Sequence, residues 1–222
     1  MSAVLVVAPH PDDETLGCGG TLLRHADEGD TLHWLIVTDM TAEGGFGRKQ
    51  MARRDGEINA VAEAYGFATV ERLGFATARL DTVPMDAIVD AMYTVFEEVR
   101  PDTVYLPFPG DAHTDHQISF QAASACTKPF RSGSVRKVMC MEIPSETNFK
   151  LAPGTAAFWP NHYVDIGAHL DRKLEIMRLY EGELGKFPFP RSEQAIGALA
   201  QLRGVEAGCS ACEGFQILRA IR

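Results

Sequence analysis

The chain has 222 residues, 45% of them hydrophobic and 23% charged. At roughly 100 to 200 residues per domain this reads as one globular domain, and it excludes a disordered chain. The formal net charge is −9, from 21 Lys and Arg against 30 Asp and Glu, so the basic footprint that holds a phosphate backbone is missing and nucleic acid is excluded as a partner. No apolar run approaches the roughly 18 to 20 residues of a membrane span, and no basic, cleavable leader pattern opens the chain; a cytoplasmic protein without a membrane span is expected.

In chain order, AVLVVA at 3–8 is a continuous apolar, β-branched run. That is the pattern of a strand buried on both faces of a parallel sheet. A helix is expected over 21–29, ending at Gly29, and a second buried strand over 31–38. Next come a helix over 51–65 stopped by Gly66, a strand over 70–75, an amphipathic helix over Met85–Val99 closed by Pro101, and a strand over 103–108. A helix over 117–127 and a strand over 137–143 complete the alternation. Strands alternating with helices at this spacing predict an α/β domain, a Rossmann-like doubly wound and mostly parallel sheet with ligands at the carboxyl ends of its strands. Beyond Pro144 proline and glycine loosen the pattern (LAPGTAAFWP), before helices over 167–184 and 192–203. The whole of 1–222 therefore reads as one domain, an α/β core over 1–144 with a helical C-terminal appendage over 145–222.

The densest chemical signal is PHPDDE at 9–14, directly after the first strand. Neighbouring carboxylates repel unless a cation or a proton relieves them. His10 and Asp13, three apart in a proline-containing turn, can point at one ion and leave Asp12 free beside it. The second cluster is GDAHTDH at 110–116, after the strand at 103–108. Two strand ends thus bring His10, Asp13, His113 and His116 within reach of one another, and two histidines with one carboxylate fit a catalytic divalent metal, most simply Zn²⁺, with Fe²⁺ also compatible. Taken singly, each cluster also reads as turn residues and helix caps.

PHPDDE followed by His113-Thr114-Asp115-His116 resembles the LmbE/PIG-L family of zinc-dependent N-acetylglucosaminyl deacetylases. Further matches are the RxxE of Arg54 to Glu57, Thr38-Asp39 after the second strand, and the closing Glu213-Gly214-Phe215. The resemblance implies an LmbE-like fold and hydrolysis of the N-acetyl group of an acetamido sugar, with zinc held by His10, Asp13 and His116. It implies Asp12 as general base and His113 as the group polarising the carbonyl, with Asp115 holding that ring. The place of Asp115 two residues after His113 predicts further that its carboxylate raises the ring's pKa and keeps His113 an imidazolium. The resemblance also implies a small-molecule substrate and a homo-oligomer, trimer or hexamer. Arg54 is expected at the substrate, Arg79 and Asp81 as possible sugar contacts, and Glu43, before Gly44-Gly45, in a lid-like loop.

Two other classes remain. Gly17-Cys18-Gly19-Gly20 with Asp39 about 20 residues on mimics the dinucleotide fingerprint of an NAD-dependent oxidoreductase, although PHPDDE separates strand from glycines. A non-catalytic sugar- or metal-binding module would have no need of Asp12 and His113. The five cysteines, an odd number, are expected to be reduced thiols. Cys209 and Cys212 form a CxxC with no two further zinc ligands at similar spacing.

Overall fold

The computed structural model describes residues 1–149, 151 and 157–222, so part of the LAPGTAAFWP segment lies outside the described residues. With no polar side chain to expose, Ala3–Ala8 forms the central strand β1, flanked in parallel by β2 (Thr31–Asp39) and β4 (Thr103–Leu106). The parallel β3 (Thr69–Ala76) lies outside β2, and β5 (Lys137–Met141) outside β4. Side chains alternate across β1. Val4, Val6 and Ala8 pack under α1 (Asp13–Asp27), α2 (Arg48–Tyr65) and α5 (Leu170–Met177), whereas Leu5 and Val7 face α3 (Met85–Val99) and α4 (Thr114–Cys126). Gly66 ends α2 at φ 71°, the left-handed stop expected of it.

The sequence pattern concealed two strands. The 145–222 segment contributes β6 (His162–Asp165) and β7 (Cys212–Ala220), and β7 pairs antiparallel with both β5 and β6. The result is one seven-stranded, mostly parallel sheet in the order β3-β2-β1-β4-β5-β7-β6. The helix expected over 167–184 is only the eight-residue α5 (Leu170–Met177); the chain then turns, with Gly182 at φ 91°. The final helix, α6 (Glu193–Ala207), starts where expected, and the Ser192 hydroxyl caps it by accepting from the Ala195 N–H.

The helix expected from residue 21 begins eight residues earlier, at Asp13, and bends at Cys18 (φ −146°, ψ 21°). Its glycines serve packing. A Cβ on Gly19 would stand 2.5 Å from Tyr65 Oη, and one on Gly20 2.7 Å from Ile166 Cβ. They lie inside a helix against side chains, and Asp39 is paired with Arg72, so the dinucleotide reading has no phosphate loop to stand on. Among the described residues no helix is long and apolar enough to cross a membrane.

Candidate active site

PHPDDE leaves the carboxyl end of β1 and turns at once into α1. Asp12 holds a positive φ of 132°, a strained conformation for a residue with a Cβ. The His10 N–H donates to Asp13 Oδ2 at 2.9 Å and closes the turn. Glu14 points inward: its carboxylate accepts from Thr15 Oγ1 and Tyr180 Oη, both at 2.6 Å, and is a buried brace under the turn rather than part of the cavity. The second cluster enters from the end of β4 on the start of α4, which begins at Thr114, three residues before the expected start.

The two turns meet. Asp13 Oδ2 lies 3.3 Å from His10 Nδ1 and 3.2 Å from His116 Nε2, and one ligand atom from each residue falls within 4.8 Å of the others. The rear nitrogens of both rings are held by carboxylates, His116 Nδ1 by Asp111 at 2.9 Å and His10 Nε2 by Asp115 at 3.0 Å. Imidazoles backed by carboxylates around a shared carboxylate oxygen form the arrangement that presents a basic nitrogen lone pair to a divalent cation. The donor set fits a metal.

The electrostatics agree. Burial alone would lower the His10 pKa, yet the carboxylates of Asp115 and Asp13 lift it to about 9. His116 rises likewise, against burial, through Asp13 and Asp111. Asp13 is held well below the usual carboxylate range by the two rings despite its burial. Metal binding is therefore expected to expel protons, and the apparent affinity to climb as pH rises towards about 9, because below that value the ion must displace the proton of His10. Calorimetry in buffers of different ionisation enthalpy measures this; an affinity independent of pH between 6 and 9 would show that these rings do not bind the ion.

Two expectations about the second cluster need correction. Asp115 does not hold His113: the carboxylate accepts from His10 and from the N–H groups of Ala78 (2.7 Å) and Leu80 (3.2 Å), and lies 3.9 Å from His113 Nδ1. That nitrogen accepts instead from the Asp115 N–H at 3.0 Å as the cap of α4, which leaves the proton of the neutral ring on Nε2. Nor is the His113 pKa raised: burial and the facing His10 lower it, outweighing Asp115.

His10, Asp12, Asp13, His113 and His116 line one cavity of about 200 Å³, joined by Arg54, Glu146, Glu183 and Arg191. Arg54 lies in its wall, donating to the Pro11 carbonyl and pairing with Glu183 and Glu57. Glu43, Arg79 and Asp81 do not: all three are exposed and none lines the cavity. The sequence reading missed Glu183 and Arg191, which follow α5. Arg191 stands 3.5 Å from Asp12 Oδ2 and 3.3 Å from Glu183 Oε2, and its buried Nε has no partner among the described residues. Burial, with Asp13 and Glu183 facing it, pushes the Asp12 carboxyl up, and Arg191 opposes this.

The GlcNAc-PI de-N-acetylase (PIG-L) family model matches residues 5–127. The chain is 26% identical over 230 residues to the diacetylchitobiose deacetylase of Thermococcus kodakarensis, covering 98% of this chain and 84% of that protein. It is 30% identical over 166 residues to the 1D-myo-inositol 2-acetamido-2-deoxy-alpha-D-glucopyranoside deacetylase of Saccharomonospora viridis, covering 61% of this chain and 60% of that one. Among solved structures, the conserved protein TT1542 from Thermus thermophilus superposes with a TM-score of 0.77 at 27% identity, covering 100% of this chain and 97% of that one. The 4-carboxy-2-hydroxymuconate hydratase of Pseudomonas putida gives the same TM-score at 20% identity, covering 100% and 98%, a likeness of fold alone.

Proposed function

This chain belongs to the GlcNAc-PI de-N-acetylase (PIG-L) family, and from that premise we propose that it is a metal-dependent N-deacetylase, hydrolysing the N-acetyl group of an acetamido sugar to acetate and a free amine. The observation that carries the reading is the carboxylate of Asp12, outside the ligand cluster, and the neutral ring of His113 lining the cavity into which His10, Asp13 and His116 turn their ligand atoms. A binding module needs only the ligands. We take the ion as Zn²⁺, which suits two imidazoles and a carboxylate, as Fe²⁺ also does. Such an ion supplies Lewis acidity at the amide carbonyl and lowers the pKa of water towards about 7.

The chain's own groups do the rest. Asp12 accepts the proton of the attacking water and afterwards, as the acid, protonates the departing amine nitrogen. His113, its Nδ1 fixed by the Asp115 amide, directs Nε2–H at the oxygen on which negative charge develops. Arg54 and Arg191, tied together through Glu183, offer donors to sugar hydroxyls. The test is a screen for amine release by metal-loaded protein over acetamido sugars with different aglycones, among them diacetylchitobiose and N-acetylglucosaminyl-inositol. Release from none of them overturns the reading.

For His113→Ala the expected result is full metal content and a kcat lower by about 100-fold, the loss of one oxyanion donor. Because its pKa is depressed, the ring is charged only on the acid side. It is already neutral where the alkaline limb of kcat/KM falls, so the variant should keep the wild-type alkaline limb. A shifted alkaline limb would restore the imidazolium role expected from sequence.

A further inference from the structure

The CxxC pair stands apart from the catalytic cavity. Cys212 opens β7 and is 1% exposed, whereas Cys209, three residues earlier, is partly open to solvent. The turn between them is set by backbone. Gly208 closes α6 in the left-handed region at φ 77°, and the Cys209 N–H donates to the Gly204 carbonyl at 2.9 Å. Gly204 lies so close to this turn that an added Cβ would meet the Cys209 carbonyl at 2.7 Å. The two thiols are therefore brought side by side by a turn with no room to open. Directly across the ladder from Cys212 lies Asp165, the last residue of β6.

Three donors from two elements converge here: one carboxylate oxygen of Asp165 and the sulfurs of Cys209 and Cys212 all fall within 4.8 Å of one another. They border a second cavity, about 420 Å³, between the later turns of α1 and the antiparallel edge of the sheet, with His25, Tyr105 and His162 in its walls. All five cysteines are free thiols, so neither sulfur is committed to a disulfide.

We propose that Cys209, Cys212 and Asp165 form a second metal site, selective for a thiophilic divalent ion such as Zn²⁺ or Cd²⁺ and separate from the catalytic one. Two thiolates and a carboxylate are a soft donor set, unlike the two imidazoles and one carboxylate of the cavity, so the two sites are distinguishable by chemistry. Binding replaces two thiol protons by one dication, and a water from the adjoining cavity completes a four-coordinate shell. The ion joins the end of α6 to β6, the outermost strand of the sheet, through a turn whose next residue, Glu213, braces α1. The proposed role is a staple on the sheet edge. It stands independently of the deacetylase reading.

The test is a Cd²⁺ titration of the reduced, metal-free full-length protein, followed by the thiolate-to-metal charge-transfer absorption. Two ions per chain are expected, one of them with the thiolate band. Cys209→Ser should bind one ion and show no band, and Asp165→Asn should keep the band with affinity at least about tenfold weaker. Saturating Cd²⁺ should also slow alkylation of Cys209 in the wild type by about tenfold or more, a readout that requires no variant to fold. No thiolate band in the reduced wild type, a band unchanged in Cys209→Ser, or undiminished alkylation each overturns the site. Undiminished affinity in Asp165→Asn overturns the three-donor set. A protein that shows the thiolate band but cleaves no acetamido sugar would fail the deacetylase reading and leave this site standing.

Discussion

Asp12→Asn is expected to lower kcat by about 100- to 10,000-fold, the range of a positioned general base, while the protein keeps its full metal content. In the proposed mechanism the two adjacent carboxylates divide their work. Asp13 Oδ2 is engaged by both histidine rings and by the His10 N–H, so that oxygen is committed to the ligand cluster rather than to proton transfer. Among the described residues the Asp12 carboxylate meets only Arg191, at 3.5 Å, and it opens on the cavity. Asn suits the test, since it preserves the size and shape of the side chain at a position whose φ is 132°. The sign of the pH dependence follows. A base works only when ionised, so kcat/KM of the wild type falls as pH drops through the Asp12 pKa, which burial and the facing Asp13 and Glu183 raise. Asp12→Asn should lose that acid limb along with the rate. Asp13→Asn should instead lose the metal. Should Asp12→Asn strip the ion and Asp13→Asn retain it, the roles of the two carboxylates are reversed.

What was legible in the sequence was local. AVLVVA can only be a buried strand, and PHPDDE and HTDH declare themselves because the ionisable groups of each motif are neighbours in the chain. Their partners were not legible, because contact with them depends on the fold. Asp115 looks from sequence like the partner of His113, two residues away, yet its carboxylate serves His10, 105 residues distant. Arg191 meets Asp12 across 179 residues. A helical pattern over 167–184 hid the turn at Gly182 that delivers Glu183 to the cavity. β7 was missed for a related reason: CEGFQILRA carries a buried glutamate near its start, and its burial becomes intelligible only once α5 supplies a lysine. The glycines at 17, 19 and 20 offered a rival reading for a different reason, since close packing and phosphate binding both ask for a missing Cβ.

That buried glutamate gives the second large effect: Lys173→Met is expected to destabilise the protein by about 3–5 kcal/mol, the cost of leaving one charge of a buried pair without its partner. Lys173 Nζ lies 2.7 Å from Glu213 Oε1 and also donates to the Leu16 carbonyl at 2.9 Å. Both residues are at most 5% exposed. The pair exists because α1 bends. At Cys18 the helical ladder breaks and frees backbone N–H groups that have no carbonyl one turn back. Glu213 supplies the acceptors: its carboxylate takes the Gly20 N–H at 2.9 Å, the Thr21 N–H at 2.7 Å and the Thr21 hydroxyl at 2.6 Å. A negative charge at the start of the second helical segment also complements its dipole, and Lys173 neutralises what remains. Glu213→Gln should cost a similar amount, because the amide NH₂ cannot accept where an oxygen did and Lys173 is left facing a neutral group. In the double variant Lys173→Met/Glu213→Gln no unpaired charge is left in the interior, so its loss should be smaller than the sum of the two single losses. Urea unfolding of the three variants measures this. A loss below about 1 kcal/mol for Lys173→Met would place the pair among interactions that water screens, and the bend in α1 would then need another brace.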